Sequence, residues 1–88
     1  MMAPTFRISK FIEPRHIRMA RSGLGLSVRD LAELAGVNKA TIVRLEAGLQ
    51  PPRSSTIDAV RSALEQAGAS FLSGDDPDII AVSIALHP

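Results

Sequence analysis

Apolar residues recur at helical spacing in several segments of the chain, each bounded by residues that start or end helices. The first segment, residues 13–22, begins with Pro14, which suits the first turn of a helix, and stops at Gly23. The second segment follows Ser27, a strong N-cap residue, and stops at Gly36. The pattern therefore predicts two helices joined by a short connection.

Two further helices are predicted in the middle of the chain. Asn38 is placed to cap a helix over residues 39–46. The fourth helix follows a loop with two consecutive prolines, has Ser54 or Ser55 as its cap, and runs to about residue 67. Its expected apolar stripe consists of Ile57, Val60, Leu64 and Ala67.

The C-terminal residues change in character and predict a β-hairpin. Residues 73–78 are dense in turn-forming types, and the β-branched segment 79–86 alternates larger with smaller residues. The short apolar run 69–72 supplies the other strand. Because a two-stranded hairpin is marginal by itself, we expect it to pack on the helices or on another chain.

The length of 88 residues leaves room for one domain, which we expect to be mainly α. We divide it into an N-terminal arm or short strand, residues 1–12, a helical unit, residues 13–68, and the hairpin, residues 69–88. Residues 7–11 alternate only weakly, so they also fit part of a longer first helix.

Basic and acidic residues are segregated along the chain, although the net charge is only +1. All ten Lys and Arg residues lie within residues 7–61, where they outnumber five acidic residues and give a net charge of +5. Residues 62–88 hold four acidic and no basic residues, a net charge of −4. A basic body indicates an anionic partner, with a solvated surface segregated by chance as the alternative.

The composition argues against several other classes of protein. Without cysteine there is no disulfide framework and no thiolate metal site, and neither His16 nor His87 has a carboxylate cluster near it in sequence. We therefore predict no metal and no cofactor. No signal peptide or membrane-length apolar run is visible, so we expect a soluble, cytoplasmic protein. An enzyme is not expected, and His16 is predicted to be a surface residue rather than a catalyst.

Residues 27–46 combine two short helices with a three-residue turn. Ala32 falls where the two helices would approach most closely, and Gly36 where the chain leaves the first of them with a φ that glycine tolerates. The motif resembles the helix-turn-helix of the Cro/cI-like (XRE) family of phage repressors, over about residues 17–64. The matching residues are Leu31, Ala32, Gly36, Val37, Thr41, Ile42, Leu45, Glu46 and Gly48, followed by a proline-containing loop and an apolar helix.

The resemblance implies a lambda-repressor-like domain of about four helices, from a bacterium or phage, that binds double-stranded DNA and regulates transcription. In that family the second helix of the motif lies in the major groove. The residues implied to read bases are Lys39, Ala40, Thr41, Val43 and Arg44. The helical phase agrees, because Ile42 and Leu45 would point into the core.

A second set of residues is predicted to contact the DNA backbone. Ser27 and Asn38 stand at helix N-termini, which attract phosphate, although simple capping also explains them. Many relatives carry glutamine where this chain has Val28, so Arg29 is the candidate replacement for that phosphate contact. The full set is Ser27, Arg29, Asn38, Gln50 and Arg53.

The resemblance also implies a structural ion pair between Arg21 and Glu46. It would be partly buried and would tie the first helix to the end of the recognition helix.

The final strand suggests how the chain associates. An apolar strand left as an exposed edge promotes aggregation, so we expect a homodimer with the hairpin or the fourth helix at its two-fold interface. The dimer would bind a pseudo-palindromic operator and repress transcription, including that of its own gene. The alternative is an antitoxin or anti-activator that binds another protein. The predicted interface residues are Phe71, Ile80, Val82, Ile84 and Leu86.

Overall fold

The computed structural model describes residues 5–49, 51–76 and 79–86. Four helices and three short strands form over these residues, so the predicted mainly helical fold with a C-terminal hairpin is confirmed. The elements in chain order are β1 (Phe6–Ile8), α1 (Pro14–Gly23), α2 (Val28–Ala35), α3 (Lys39–Ala47), α4 (Ser54–Gln66), β2 (Ala69–Gly74) and β3 (Ile80–Ile84).

The hairpin of β2 and β3 is extended into a three-stranded antiparallel sheet by β1, in the order β1-β2-β3. Ile8 lies opposite Leu72, and the Ser9 N–H continues the ladder by donating to the Phe71 carbonyl at 2.7 Å. Of the three conformations left open for this part of the chain, a short strand forms at Phe6–Ile8, and residues 1–4 of the predicted arm lie outside the described residues. This strand completes a sheet that packs against the helices.

The cap of α2 is built as its sequence indicates. The Ser27 Oγ accepts a hydrogen bond from the Asp30 N–H at 2.9 Å, and the Asp30 carboxylate accepts one from the Ser27 N–H at 2.9 Å. The bonds from the Ser27 backbone and side chain lower the pKa of Asp30. At the other end, Gly36 adopts the left-handed conformation with φ of +70°, which allows the chain to turn into α3.

The limits of α4 differ from the prediction. Arg53 is its N-cap residue and makes no side-chain cap, so neither serine caps the helix and Ser54 is its first residue. Ala67 lies beyond the last turn and is exposed, whereas Ala63 takes the corresponding place in the core. The predicted apolar stripe of α4 is therefore wrong at Ala67, because the helix ends at Gln66, before the position at which the stripe would face the core again.

One hydrophobic core joins the helices to the sheet. At its centre the ring of Phe71, from β2, is fully shielded from solvent. The guanidinium of Arg61 lies 5.5 Å from the centre of that ring. The assignment of Phe71 to a dimer interface is wrong, because its side chain is fully buried within its own chain. The largest fully buried side chains are Phe71, Ile17, Leu31, Ile42, Leu64 and Val60.

His16 is buried rather than at the surface, with 3% of its area exposed. Its Nδ1 accepts a hydrogen bond from the Glu13 N–H at 2.9 Å, which satisfies a free amide at the start of α1. Its ring meets Phe71 edge to face, with centroids 5.9 Å apart. Burial lowers the pKa of His16 and outweighs the nearby charge of Glu13, which raises it.

The helices are short, the longest being α4 with 13 residues. Among the residues described, no helix has the length and apolar character needed to cross a membrane.

Candidate nucleic-acid interface

Helix α3 has a buried face and an exposed face, as its helical phase requires. Ile42 and Leu45 are buried in the hydrophobic core, and α3 packs against α1 and α2. The other side of the helix carries the residues predicted to read bases. Of these, Lys39, Ala40, Val43 and Arg44 are exposed and Thr41 is partly buried.

The N-terminus of α3 is fixed by Asn38. Its Oδ1 accepts hydrogen bonds from the Thr41 N–H at 3.1 Å and from the Thr41 hydroxyl at 3.2 Å. Both side chains therefore hold the first turn in shape, and Lys39 and Ala40, which lie between them, are presented to solvent on a rigid helix end.

A cleft separates α3 from the loop that leads into α4. Arg44 stands on one side and Arg53 on the other, so two positive charges line the same cleft. Gln50, which was predicted to contact the backbone with Arg53, lies outside the described residues. The remaining lining residues are Thr41, Leu45, Pro51, Pro52 and Thr56.

The N-terminus of α2 carries two of the predicted phosphate-binding residues. Ser27 is exposed, but its hydroxyl is already engaged in the cap with Asp30. Arg29 is exposed on the first turn. Val28, between them, is partly buried and packs against the core. Arg29 is consequently the exposed basic side chain at this corner of the molecule.

Arg21 and Glu46 meet as the resemblance implied. The Arg21 Nε donates to Glu46 Oε2 at 2.7 Å and its Nη2 donates to Oε1 at 2.9 Å. A third bond runs from Nη1 to the Leu26 carbonyl at 3.0 Å. The carboxylate raises the pKa of Arg21. The pair joins α1 to the last turn of the exposed helix α3 and so fixes its orientation.

The structure does not gather the predicted interface residues of the hairpin into one exposed surface. Val82 and Ile84 lie opposite Phe71 and Ala69 in the ladder, on the face of the sheet that packs on the core. Ile80 follows them at the same alternation. Leu86 lies beyond β3 and is 85% exposed. The predicted interface residues within β3 therefore lie on the core-facing side of the sheet.

A family model described as a helix-turn-helix domain matches residues 15–70, more than half of the chain. The chain belongs to the helix-turn-helix domain family. The match covers α1 to α4 and the start of β2, and it leaves β1 and β3 outside. Comparison with curated proteins finds no match to this chain. Membership of the helix-turn-helix family supports DNA as a partner.

Two residues of this helix-turn-helix protein escaped the sequence-based prediction. Thr56 lines the cleft beside Arg44, and it reaches that place only through the tertiary fold, because it lies 12 positions later in the chain. Arg61 donates to the carbonyls of Ser9 and Lys10, which holds the N-terminal segment against α4. In the sequence, Arg61 stood out only by its four-residue spacing to Glu65, with which it forms an ion pair at 3.1 Å.

Proposed function

We propose that this helix-turn-helix protein is a sequence-specific, double-stranded DNA-binding transcriptional regulator of the Cro/cI-like (XRE) type, with α3 as its recognition helix. The observation that carries the proposal is the exposed side of α3. It presents Lys39 and Arg44 to solvent, and Arg53 stands across the adjoining cleft.

The exposed side chains of α3 match the chemistry of the major groove. The Arg44 guanidinium has the planar geometry to donate two hydrogen bonds to the O6 and N7 atoms of guanine. Lys39 supplies a single ammonium donor on the first turn, beside the cap. Ala40 and Val43 are apolar and exposed, and are suited to contact with a thymine methyl group. Thr41, which is partly buried, lies at the edge of this surface.

Contacts to the phosphate backbone would position the recognition helix. Arg53 extends the positive charge of Arg44 across the cleft, and Arg29 offers a charge at the start of α2. The N-termini of α2 and α3, at Ser27 and Asn38, present backbone amides with a positive dipole. Together with Gln50, these residues are the proposed backbone contacts, which fix register without reading sequence.

The regulator is proposed to act as a homodimer on a pseudo-palindromic operator, with half-sites about one helical turn (~34 Å) apart. A single copy exposes one recognition helix of nine residues, a small reading surface for a specific site. Two copies related by a two-fold axis double that surface. Repression would follow from occupation of promoter DNA, including the promoter of its own gene.

The salt dependence of DNA binding tests the electrostatic part of this proposal. The wild-type protein should bind a random-sequence duplex with an affinity that falls steeply between 50 and 200 mM salt, by orders of magnitude if six or more phosphates are contacted. Arg53→Ala should lower the slope of log Kobs against log salt by about 0.9.

Arg7→Ala is the matched control, because it removes the same charge from the sheet, where Arg7 pairs with Asp75 at 2.9 Å. It should leave the slope unchanged. Absent binding at low salt, or equal slopes for the two variants, would contradict the proposed contacts. A protein partner, as in an antitoxin, would then be the better explanation.

A further inference from the structure

The outer edge of β3 carries backbone groups that point away from β2. The Ala85 N–H donates to the Gly68 carbonyl at 2.8 Å, which marks residue 85 as facing β2. Bonding residues alternate along an antiparallel ladder, so residues 81 and 83 also face β2. The N–H and C=O groups of the remaining three, Ile80, Val82 and Ile84, therefore point outward.

The neighbouring strand supports this phase independently. The Ser9 N–H donates to the Phe71 carbonyl, so the backbone groups of Phe71 face β1. Val82, which lies opposite Phe71, then has no bond to β2. Within the described residues, no hydrogen bond reaches the outward groups of β3 from any other element.

The two edges of the sheet differ in how they are protected. β1 is three residues long, with Arg7 within it and Lys10 just beyond it. Short length and positive charge are the common means of keeping an edge from pairing. β3 is five residues long and has no charged residue and no proline, and the same holds for residues 85 and 86 that follow it. Of the two edge strands, β3 is thus the one suited to form backbone hydrogen bonds with another strand.

We propose that β3 pairs antiparallel with β3 of a second copy of this chain, with the two-fold axis at Val82. Ile80 of each copy would lie opposite Ile84 of the other, and Val82 opposite Val82. Each of these residues would donate and accept one backbone hydrogen bond across the axis. The two sheets would become one continuous six-stranded sheet. This pairing rests on the proposed function, because it supplies the interface of the proposed homodimer.

A second copy fits this edge because the sequence of β3 is complementary to itself. Antiparallel pairing about Val82 places Ala81 opposite Ser83 of the other copy, two small side chains on the outer face, and opposes no like charges. A two-fold axis through one residue is the geometry of an isologous dimer. Pairing of two β1 strands would instead set Arg7 and Lys10 of one copy near those of the other.

The fourth helix is the poorer interface. Its exposed positions are all polar, so two copies would gain little by packing there. These positions are Ser54, Ser55, Asp58, Ser62, Glu65 and Gln66.

Cysteine crosslinking in the absence of DNA tests both the edge and the register, because the chain has no cysteine of its own. Ala81→Cys and Ser83→Cys are oxidised separately and as an equilibrated mixture. In the proposed register residue 81 faces residue 83 of the partner at about 4.5 Å between Cα atoms. Like residues are diagonal neighbours at ~7–8 Å, beyond the usual reach of a disulfide.

The mixture should therefore give at least about fivefold more crosslinked dimer than either variant alone, given the steep distance limit on disulfide formation. Ile8→Cys, on the opposite edge, should give only background. Equal yields from the mixture and the single variants, or as much dimer from Ile8→Cys, would overturn the proposal. So would the absence of any crosslink.

Val82→Pro provides a second test by sedimentation equilibrium. It deletes an outward N–H without touching the β2–β3 ladder, a position that proline tolerates in an edge strand. The dissociation constant of the dimer should rise at least about tenfold, the factor that 1.4 kcal/mol represents, while circular dichroism stays native. Val82→Ala, which trims the side chain and keeps the N–H, should dimerise like the wild type. Equal dissociation constants for Val82→Pro and Val82→Ala would count against the pairing.

Neither test uses DNA, so failure of the β3 pairing and failure of DNA reading are separable. If the protein enriches a specific duplex but gives no crosslink, the β3 interface is contradicted and the proposed DNA-binding function stands.

Discussion

Arg21 and Glu46 are joined by two parallel hydrogen bonds of 2.7 and 2.9 Å, and this ion pair links α1 to the last turn of α3. Glu46 is 9% exposed and the Arg21 side chain 22% exposed, so solvent screens the pair only in part. Helix α3 is therefore anchored at its C-terminal end by an ion pair with two hydrogen bonds, which fix its geometry more tightly than one would.

Glu46→Ala should lower the free energy of unfolding by about 2–4 kcal/mol, because it leaves the Arg21 guanidinium shielded and unpaired. Urea denaturation is the measurement, and Glu33→Ala, an exposed change on α2, should cost less than about 0.5 kcal/mol. The double variant Arg21→Met/Glu46→Leu should lose less than the sum of its parts. Equal stability of Glu46→Ala and Glu33→Ala would show that the pair contributes nothing.

Gly36→Ala should destabilise the protein by about 1–2 kcal/mol, the cost of placing an L side chain at φ of +70°. A Cβ there would meet no atom within 4 Å, so the loss would come from the backbone alone. Gly36→Asn is the control and should lose less, since asparagine tolerates this region. Thermal unfolding of the two variants measures the difference. An alanine variant as stable as the wild type would contradict the turn geometry.

The stability of the wild type should fall as the pH drops through and below about 6.5, the ordinary pKa of histidine. The folded state depresses the pKa of His16, so the unfolded chain binds the proton more readily and stability is lost toward acid. Protonation would also put a hydrogen on Nδ1, which could then no longer accept the hydrogen bond from the Glu13 N–H.

Denaturant unfolding at pH 7.5 and pH 5.5 measures this effect. His16→Gln is the control, because glutamine at this position can accept the Glu13 N–H and does not titrate. Its stability should change less between the two pH values than that of the wild type. The same loss in both proteins would assign the pH dependence to other groups.

Arg61→Met should loosen the N-terminal segment and cost about 1–3 kcal/mol, since it deletes charge-assisted bonds to the carbonyls of Ser9 and Lys10. Methionine keeps the stem that packs beside Phe71. Hydrogen exchange of the Ser9 amide, which bonds Phe71, should accelerate. Arg15→Met removes an exposed arginine that pairs with Glu13 at 3.3 Å and should leave that exchange unchanged. Equal exchange rates in the two variants would show that Arg61 does not hold the N-terminal segment against α4.

Local chemistry made the helices and their capping predictable. Ser27 and Asn38 cap the helices they precede, and Gly36 ends α2, because each effect operates within one turn of the chain. The exposed face of α3 followed from its period, since burial of Ile42 and Leu45 leaves Arg44 outside.

Long-range packing was not predictable in the same way. His16 is buried because β2 brings Phe71 against it, and β1 exists because Ser9 finds a partner 62 positions later in the chain, at Phe71. The alternation in β3 was visible, but its direction was not. The pattern alone did not tell that Val82 faces its own core, because either face of a strand can be the buried one.

Selection from a randomised duplex pool shows whether α3 reads bases. The wild type and Lys39→Ala/Arg44→Ala are compared under the same low-salt conditions, with Arg7→Ala as a control for lost charge. The wild type and Arg7→Ala should enrich the same palindromic sequence, and the double variant should relax or lose it, because its recognition helix no longer donates to base edges. The same palindrome enriched by the double variant would contradict base reading by α3. Enrichment of no sequence by the wild type would contradict sequence-specific DNA binding by this protein altogether.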